Sequence, residues 1–386
     1  MKILIVHNRY KQKGGEDSVV EDEARLLEQH GHEVTKLIRS NDELGHMSGT
    51  SAATSTVWSR KSAQQLKDIV GRESPDVVHL HNTFPLVSPA VYWAAADLGV
   101  PTVQTLHNFR LLCAQAMLLR NEAPCEDCIG TLPWRGVVRA CYRESYAQSA
   151  VLVTMLAIHR LLGTYQKKVS RFIALNEFCR MKFIEGGLPA EKVVVKPNFV
   201  PDSGMTYQTP GKKVLFVGRL SKEKGIATLA KLIDCLPDVE FEIVGDGPEA
   251  NTLRGKQNVN MRGSLPLSEV KEAMAGCCCL LLPSIWYENF PRTLVEAFSL
   301  GVPVFASRIG ALAELIKDNE TGFLFEPGNH LDLASKLRWA IANPRYLRDV
   351  GIAARREYEK RYTPTQNYLE LAAVYDAVIR EKELSR

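Results

Sequence analysis

The sequence has no hydrophobic run long enough to cross a membrane, and its charges nearly balance. The longest strongly apolar run, Ala150 to Ile158, is far shorter than the roughly 20 residues that a bilayer requires. The formal net charge is +4 over 386 residues, which is too small to predict a nucleic acid partner. The first apolar run ends at Asn8 and Arg9, so no export signal is predicted. These absences predict a cytoplasmic protein that binds no nucleic acid.

Two common nucleotide-binding motifs are also absent. No GxGxxG sequence follows a predicted strand in a dinucleotide-binding context, and no GxxxxGK[ST] phosphate loop occurs. The sequence therefore argues against a nicotinamide-dependent oxidoreductase and against a P-loop nucleotide hydrolase.

Cysteine occurs nine times, an odd number in a chain with no predicted export signal, so a disulfide framework is not expected. A Cys-x2-Cys pair with one further cysteine on each side has the composition of a zinc site, although its outer spacings are loose. The candidate ligands of a structural zinc are Cys113, Cys125, Cys128 and Cys141. The alternative is four unrelated thiols that bind no metal. A zinc ion bound by these cysteines would be structural and not catalytic.

The length predicts two domains, and the order of elements predicts their class. Short β-rich runs alternate with helix-length segments, which is typical of parallel sheets covered by helices on both faces. Most runs are largely apolar, as expected of strands buried on both sides. The predicted strands are Lys2–Val6, Glu33–Ile38, Val77–His81, Thr102–Leu106, Arg171–Leu175, Lys192–Lys196, Lys213–Val217, Glu240–Val244, Val259–Arg262, Cys278–Leu282, Val302–Ala306 and Gly322–Phe325.

The pattern restarts near residue 200. The sequence from Pro197 to Gly204 is rich in proline and glycine, mostly polar residues follow, and a new strand begins at Lys213. We therefore predict two doubly wound α/β domains with Rossmann-like parallel sheets, residues 1–200 and 201–364, facing a central cleft. The helical segment 365–386 is expected to cross back to the first domain.

Two glutamates with seven residues between them mark the most informative segment. Glu288 lies in a predicted loop, and Pro291 lies just inside a predicted helix that Gly301 closes. Glu296 lies about two turns further along the chain than Glu288. Such carboxylates can bind hydroxyl groups of one ligand, and the helix start suits an anion. Taken alone, the segment could instead be a solvated face with one weak Arg292–Glu296 pair.

A basic glycine turn opens the second domain, between Val217 and Gly225. Arg219 and Lys224 flank this turn between a strand and a helix, where they can neutralise a diphosphate without a metal ion. The alternative is a solvated basic turn. The segment Val244 to Glu249 is a second strand-to-helix turn of the same kind.

Together these motifs resemble those of the family 4 (group 1) retaining glycosyltransferases, which have the GT-B fold. In chain order they are Gly-Arg-Leu-x-x-x-Lys-Gly at 218–225, Val-Gly-Asp-Gly-Pro-Glu at 244–249, Glu-x7-Glu at 288–296, Gly-Val-Pro-Val at 301–304 and Thr-Gly at 321–322. Five ordered motifs are far more specific than any one of them. The resemblance implies transfer of a sugar from a nucleotide diphosphate to an acceptor hydroxyl, with retained anomeric configuration.

The resemblance also implies roles for residues of the second domain. Arg219 and Lys224 match the pair that binds the donor diphosphate. Glu296 matches the carboxylate that accepts hydrogen bonds from the ribose hydroxyls, and Glu288 matches the residue that holds the donor sugar's hydroxyls. The backbone expected to lie against sugar and phosphate is that of Asn289, Phe290 and Pro291. The implied donor is a UDP- or GDP-sugar, and no catalytic metal is expected.

In the first domain, a glycine pair follows the first predicted strand. Gly14 and Gly15 precede a predicted helix over Ser18–His30, and adjacent glycines let a backbone approach a ligand closely. In the family this loop lies near the diphosphate and the acceptor. A plain flexible turn is the alternative.

Histidines end three predicted strands of this domain, at His7, His81 and His107. His107 matches the family's active-site histidine, which bonds a donor-sugar hydroxyl or supports developing charge. A lone histidine would more often be structural. His79 is expected to be a strand residue with no catalytic role.

Residues 110–170 are predicted to form a basic insertion that contains the clustered cysteines. From Trp134 to Arg171 the sequence has seven cations and one acid. Arg135, Arg139 and Arg143 recur every four residues, which predicts one helix face, and aromatic residues are interleaved. Such a surface suits an anionic membrane that presents a lipid-linked acceptor. The alternative is a solvated basic face above a core helix.

The resulting hypothesis is a glycosyltransferase at the cytoplasmic face of the membrane that acts on a glycan or lipid-linked glycan in cell-surface polysaccharide synthesis. Two alternatives are kept. A nucleotide-sugar epimerase would release no transfer product. A catalytically inert GT-B subunit would bind a nucleotide sugar, or scaffold a partner enzyme, without turnover.

Overall fold

The computed structural model describes residues 1–11, 14–205 and 211–384. The chain divides into two compact units. The first comprises Met1–Leu118, Glu126–Pro197 and Asn367–Arg386, and the second comprises Leu119–Cys125 and Asn198–Gln366. The C-terminal helical segment predicted at 365–386 thus belongs to the first unit from Asn367 onward, and its last two residues lie outside the described ranges.

The strands alternate with helices along the chain. The strands are β1 (Lys2–Arg9), β2 (Glu33–Ser40), β3 (Val77–Leu80), β4 (Thr102–Thr105), β5 (Leu119–Arg120), β6 (Ala123–Pro124), β7 (Arg171–Ala174), β8 (Val193–Val195), β9 (Lys213–Val217), β10 (Glu240–Val244), β11 (Val259–Gly263), β12 (Cys279–Leu282), β13 (Val304–Ser307) and β14 (Phe323–Phe325). The helices are α1 (Gly15–Gln29), α2 (Gly49–Val57), α3 (Arg60–Glu73), α4 (Ala90–Asp97), α5 (Arg135–Val138), α6 (Tyr146–Leu161), α7 (Thr164–Lys168), α8 (Glu177–Glu185), α9 (Ile226–Cys235), α10 (Leu267–Ala275), α11 (Arg292–Leu300), α12 (Gly310–Leu315), α13 (His330–Ala342), α14 (Pro344–Arg361) and α15 (Pro364–Leu384).

Each unit is built on a six-stranded parallel sheet. The order is β2-β1-β3-β4-β7-β8 in the first unit and β11-β10-β9-β12-β13-β14 in the second. The strand order reverses between β1 and β3 in one sheet, and between β9 and β12 in the other. Loops that leave neighbouring strands in opposite directions at such a point open a crevice, where α/β sheets bind their ligands.

The predicted fold class of two parallel-sheet α/β domains is confirmed. Every predicted strand overlaps a strand of one of the two sheets. The antiparallel hairpin of β5 and β6 was not predicted, because two-residue strands have no periodicity to detect.

The cores lie on both faces of each sheet because the central strands point apolar side chains alternately to opposite sides. In the second unit, Val214 and Phe216 belong to one buried cluster and Leu215 belongs to the other. In the first unit, Ile3 and Ile5 of β1 pack with Leu371, Tyr375 and Val378 of α15. The C-terminal helix therefore completes the core of the first unit.

Among the described residues, none of the helices combines the length and the apolar character that a membrane span needs.

Candidate functional site

In the second unit, the loops after β9 and β12 meet at the switch point of the sheet. The backbone N–H of Ile285 donates to the carbonyl of Glu223 over 3.0 Å, which ties the two loops together. Gly225 has a φ of +72°, and a Cβ built on it would lie 1.8 Å from the carbonyl oxygen of Pro283. The glycine after Lys224 is therefore required by both backbone conformation and close approach.

Replacing Gly225 with alanine is expected to destabilise the second unit by more than about 2 kcal/mol, because a left-handed conformation alone costs an L-residue roughly 1–2 kcal/mol. The clash with the Pro283 carbonyl adds to that cost. Gly255→Ala is the matched control, since its φ is +81° and its Cβ would meet open space. Denaturant titrations that give equal losses for both variants would contradict the close-approach argument.

The same meeting of loops brings Lys224 and Glu288 together. The Lys224 ammonium lies 2.6 Å from Oε1 of Glu288, and the Ser284 hydroxyl donates to that oxygen over 2.7 Å. The Glu288 side chain is 8% exposed, whereas that of Lys224 is 27% exposed. The Lys224 ammonium also lies 5.7 Å from the Trp286 ring centroid. A half-buried cation thus stands beside a buried carboxylate.

The second glutamate of the motif lies on α11, which follows directly. The Arg292 guanidinium donates to Oε1 of Glu296 over 3.0 Å. The Arg292–Glu296 pair that was expected of a solvated helix face is therefore present. Glu296 is nevertheless 4% exposed, which excludes an ordinary solvated face. Pro291 occupies the N-cap position instead of the predicted first helical position, and Gly301 ends the helix with a φ of +75°. Among the described residues, no side-chain hydrogen bond caps the start of α11.

The motif Val-Gly-Asp-Gly-Pro-Glu packs directly against the turn that carries Arg219. The backbone N–H of Leu220 donates to the Asp246 carbonyl over 3.0 Å, and that of Glu249 donates to the Leu220 carbonyl over 2.9 Å. A Cβ on Gly245 would lie 1.9 Å from the Gly218 carbonyl oxygen. These contacts explain why glycines stand in both motifs, and they leave Arg219 exposed at the junction.

In the first unit, histidines gather near the carboxyl ends of β3 and β4. His81 directly follows β3, and His107 lies two residues after β4. Nδ1 of His81 is 2.9 Å from Nε2 of His107, and the two rings stack with centroids 5.1 Å apart. His7 lies inside β1 rather than at its end, which corrects the prediction for that residue.

The glycine pair leads into α1 through a buried carboxylate. Oδ2 of Asp17 accepts a hydrogen bond from the Gly14 N–H over 2.9 Å. Oδ1 of Asp17 lies 2.8 Å from Nε2 of His7. Burial would raise the pKa of Asp17, but its bonds to His7 and Gly14 lower it below the usual value. The helix begins at Gly15, three residues before the predicted start. Because Asp17 contacts both Gly14 and His7 of β1, it fixes the glycine loop to that strand.

A buried ion pair beneath the histidines was not predicted. The Lys196 ammonium lies 3.3 Å from Oε2 of Glu23 and 3.0 Å from Oδ1 of Asn367, and all three residues are buried. Oε1 of Glu23 lies 3.0 Å from Nδ1 of His79 and 3.2 Å from Nε2 of His81. No sequence signal could have paired Glu23 with Lys196, because 173 residues separate them.

The four candidate zinc ligands are partly buried cysteines that form no disulfide bond. Within the described residues, the one group of potential metal ligands whose donor atoms all lie within 4.8 Å of one another is Glu23, His79 and His81. A structural zinc on the cysteines stays a prediction. Elemental analysis of purified protein should show about one zinc per chain if it is right, and well under one zinc per chain would reject it.

The basic insertion differs from its predicted form. Helix α5 covers only Arg135–Val138, and Arg143 has a φ of +53°, so the three arginines do not share a helix face. Asp127 accepts hydrogen bonds from two of them, through its carbonyl from Arg135 and through its carboxylate from Arg139. The surface nevertheless exposes large apolar side chains, namely Leu132, Trp134, Val138, Tyr146 and Leu161.

Comparison with protein families agrees with the predicted fold and family. Residues 13–203 match the family described as "Glycosyltransferase Family 4", and residues 207–357 match "Glycosyl transferases group 1". The two matches adjoin and together span nearly the whole chain. The chain therefore belongs to the family 4 (group 1) glycosyltransferases.

Several curated proteins are similar to this chain. The 2-deoxystreptamine N-acetyl-D-glucosaminyltransferase of Niallia circulans is 28% identical over 79% of this chain and 78% of its own length. The phosphatidyl-myo-inositol mannosyltransferase of Mycobacterium leprae is 28% identical over 63% of this chain and 68% of its own length. The sulfoquinovosyl transferase SQD2 of Arabidopsis thaliana is 34% identical over 38% of this chain, and that match spans only 30% of its length.

Solved structures of the same fold include Anabaena HepE in complex with UDP-glucose. It has a TM-score of 0.67 and 20% sequence identity, and the match covers 98% of this chain and all of HepE. The sucrose-phosphate synthase of Thermosynechococcus elongatus has a TM-score of 0.72 at 17% identity, with 98% of this chain and 99% of that one covered. These likenesses establish the GT-B fold.

Proposed function

We propose that this protein transfers a sugar from a nucleotide-diphosphate donor to a hydroxyl of a glycan or lipid-linked glycan, with retained anomeric configuration and without a catalytic metal. The observation that carries the proposal is the pairing of Lys224 with Glu288 at the switch point of the second sheet. A cation held there can neutralise a diphosphate, and a carboxylate held there can accept hydrogen bonds from the hydroxyls of a sugar.

The proposed donor site uses the second unit as follows. Lys224 and Arg219 neutralise the diphosphate, and the start of α11 adds N–H groups and dipole. The backbone of Asn289, Phe290 and Pro291 lies against the sugar and the phosphate. Glu288 accepts hydrogen bonds from sugar hydroxyls. Glu296 accepts hydrogen bonds from the ribose hydroxyls. The known binding of UDP-glucose by HepE supports a UDP-sugar, and a GDP-sugar is the second candidate.

Catalysis in this proposal rests on position and charge. The protein holds the donor while the diphosphate departs, and the developing negative charge is stabilised by groups already in place. The bond from the anomeric carbon to the phosphate breaks, and the acceptor oxygen bonds to that carbon on the same face while the leaving phosphate takes the proton of the acceptor hydroxyl. The configuration is therefore retained. His107 bonds a hydroxyl of the donor sugar, and the loop at Gly14 and Gly15 approaches the diphosphate and acceptor.

The proposed acceptor carries an anionic group next to an apolar part. A cavity of about 330 Å³ in the first unit lies between α2 and α6, and its lining contains a cation but no acidic side chain. Part of that lining is Leu44, Phe84, Pro85, Tyr142, Arg143 and Leu152. The similarity to a phosphatidyl-myo-inositol mannosyltransferase supports a lipid-linked acceptor and a role in cell-surface polysaccharide synthesis at the cytoplasmic face of the membrane.

The test of function is a donor screen with product analysis. Purified protein is incubated with UDP-, GDP- and ADP-sugars and with membrane lipid extracts as acceptors, and labelled product is followed by mass spectrometry. The proposal predicts one donor consumed with a new glycoside formed. Donor isomerisation without transfer would establish the epimerase alternative, and nucleotide binding without turnover would establish the inert subunit.

Binding to anionic vesicles tests the membrane surface separately. We expect salt-sensitive sedimentation with phosphatidylglycerol vesicles and little with phosphatidylcholine vesicles, because exposed apolar and cationic side chains act together. Trp134→Ser with Val138→Ser should weaken this binding. Leu331→Ser is the matched control, since Leu331 is 62% exposed on the second unit. Equal binding by all variants would contradict a membrane role for this surface.

A further inference from the structure

Two cavities of the first unit lie side by side between α2 and α6. The cavity of about 330 Å³ reaches from Gly49 to Thr56 along α2, and a second cavity of about 900 Å³ continues from Ala53 to Lys61. Ala53 and Val151 line both cavities, so the two meet at these residues. We call the combined space the α2–α6 groove.

Small side chains form the walls of the groove. Apart from Val57, helix α2 consists only of glycine, alanine, serine and threonine. The part of α6 that lines the larger cavity is likewise made of short side chains, those of Ala150, Val151 and Thr154. Side chains of ordinary size would fill the space between two packed helices, because protein interiors are close-packed. The groove is therefore a direct consequence of the residues chosen on both helices.

One end of the groove opens beside an exposed apolar surface. The Trp58 ring lines this end and stacks on the His159 ring of α6, with centroids 5.7 Å apart. Ile158 and Leu161 follow Thr154 by four and seven residues, so they continue the same side of α6, and both are exposed. Leu161 also belongs to the surface proposed to bind a membrane. The groove thus opens next to that surface.

The other end of the groove lies at the carboxyl edge of the first sheet. Asn41 directly follows β2, Phe84 and Pro85 lie in the loop after β3, and all three line the smaller cavity. The Arg110 guanidinium, three residues after His107, lies 4.4 Å from the Phe84 ring centroid. Ligands of α/β sheets bind outside the carboxyl ends of the strands. The groove therefore leads from the proposed catalytic edge to the exposed apolar surface.

The charged side chains that line the groove are all cations. Among the described residues that line it, Arg143 borders the smaller cavity, Arg60 and Lys61 border the larger one, and no aspartate or glutamate is present. The Lys61 ammonium lies 3.6 Å from the carboxylate of Glu43, so an acid outside the lining partly neutralises it. An apolar groove bordered by cations complements a hydrocarbon chain that carries an anionic group.

We propose that the α2–α6 groove binds the hydrocarbon chain of the acceptor lipid, with the anionic linkage of that lipid at Arg143. That the chain belongs to the acceptor rests on the proposed function, whereas binding of the chain does not. The glycan end then faces the carboxyl edge of the sheet, and the chain leaves past Trp58 toward the membrane. Because apolar burial grows with chain length, the groove makes the length of the lipid a determinant of specificity.

Calorimetric titration of the whole protein with single-chain alkyl phosphates tests the groove without a sugar donor. Hexyl, decyl and tetradecyl phosphate are used below the concentrations at which they form micelles. We expect one bound molecule per protein and a dissociation constant that falls about fourfold per added methylene group until the groove is full. Decanol should bind about tenfold more weakly than decyl phosphate, and Arg143→Gln should remove this difference. Equal dissociation constants for all chain lengths, or no binding, would overturn the proposal.

Filling the junction of the two cavities should remove the dependence on chain length. Ala53→Trp is expected to weaken binding of tetradecyl phosphate roughly 10- to 100-fold, because the chain can no longer pass from one cavity to the other. Thr54→Trp, at an exposed position of the larger cavity, gives a second test if Ala53→Trp does not fold. Ala147→Trp, exposed on α6 and outside both linings, is the matched control. Wild-type binding by both groove variants would refute the proposal.

Transfer assays separate this inference from the proposed function. With acceptors of equal headgroup and increasing chain length, kcat/KM should rise in the wild type, and Ala53→Trp should lose this rise. Equal kcat/KM for all chain lengths in an active enzyme would refute the groove and leave the function intact. Length-dependent binding of alkyl phosphates without transfer from any donor would refute the function and leave the groove as a lipid site.

Discussion

Replacing Lys224 with alanine is expected to lower kcat by about 10³-fold, the size typical of losing one preorganised group that stabilises developing negative charge. The Lys224 ammonium lies 2.6 Å from Glu288 and is only partly exposed, so its charge is weakly screened by water. The loop that carries Lys224 is tied to the loop after β12 through the Ile285 N–H, which fixes the position of this cation. Initial rates with the donor found in the screen give the measurement.

The matched control is Lys222→Ala, two residues away and exposed, which should keep kcat within about twofold. Arg219→Ala should change kcat in the same direction as Lys224→Ala, since both residues are assigned to the diphosphate. Melting temperatures near that of the wild type would show that the fold is intact. Near-normal turnover in both Lys224→Ala and Arg219→Ala would refute the phosphate assignment.

Replacing Lys196 with methionine is expected to lower the free energy of unfolding of the first unit by about 3–5 kcal/mol, since it leaves a buried charge without its partner. The side chains of Lys196 and Glu23 are 1% and 2% exposed. The double variant Lys196→Met with Glu23→Gln should recover much of the loss, because neither buried charge is then present. No recovery in the double variant would show that packing, and not charge, accounts for the loss.

Denaturation of this variant should be followed in the first unit alone, since a protein of two units need not unfold in a single step. The chain has five tryptophans, and Trp286 and Trp339 belong to the second unit. In a background with both of these replaced by phenylalanine, fluorescence reports the first unit. The urea titration then gives the free energy of unfolding by linear extrapolation.

The same ion pair predicts how stability depends on pH. The pKa of Glu23 is lower in the folded protein than in the unfolded chain. Its contribution is therefore complete above the unfolded pKa of about 4.3 and is lost as the pH falls through the folded value. Stability of the first unit should thus decline below about pH 4 more steeply in the wild type than in the double variant. Parallel curves would contradict this.

Local sequence patterns were enough to predict the fold. Strands such as Lys213–Val217 are apolar runs bounded by turn residues, and each such signal lies within a few neighbouring positions. Errors occurred at element ends and where tertiary contacts override periodicity. Pro291 was placed one position too far into its helix, and helix α5 ends at Val138, before the second and third arginines of the predicted helix face. Neither correction could be derived without the three-dimensional contacts.

The candidate donor site was partly visible in the sequence, and the buried pair of Glu23 and Lys196 was not. Lys224 and Glu288 belong to motifs whose order carries information, and the structure brings them within 2.6 Å. Glu23 and Lys196 lie in segments with no motif, and their pairing depends on β8 and α1 packing against the same region of the first unit. Pairings of this kind are set by topology, which spacing along the chain does not encode.

The central claim is that the second unit holds a nucleotide sugar, and thermal unfolding with UDP, GDP, ADP and their common sugar conjugates tests it most directly. A ligand at 100 times its dissociation constant stabilises the native state by about 2.7 kcal/mol. We predict that one nucleotide raises the melting temperature with its concentration. Glu296→Ala should abolish this rise, and Glu320→Ala, an exposed control on the same unit, should keep it. No rise with any nucleotide, or an equal rise in Glu296→Ala, would contradict the account.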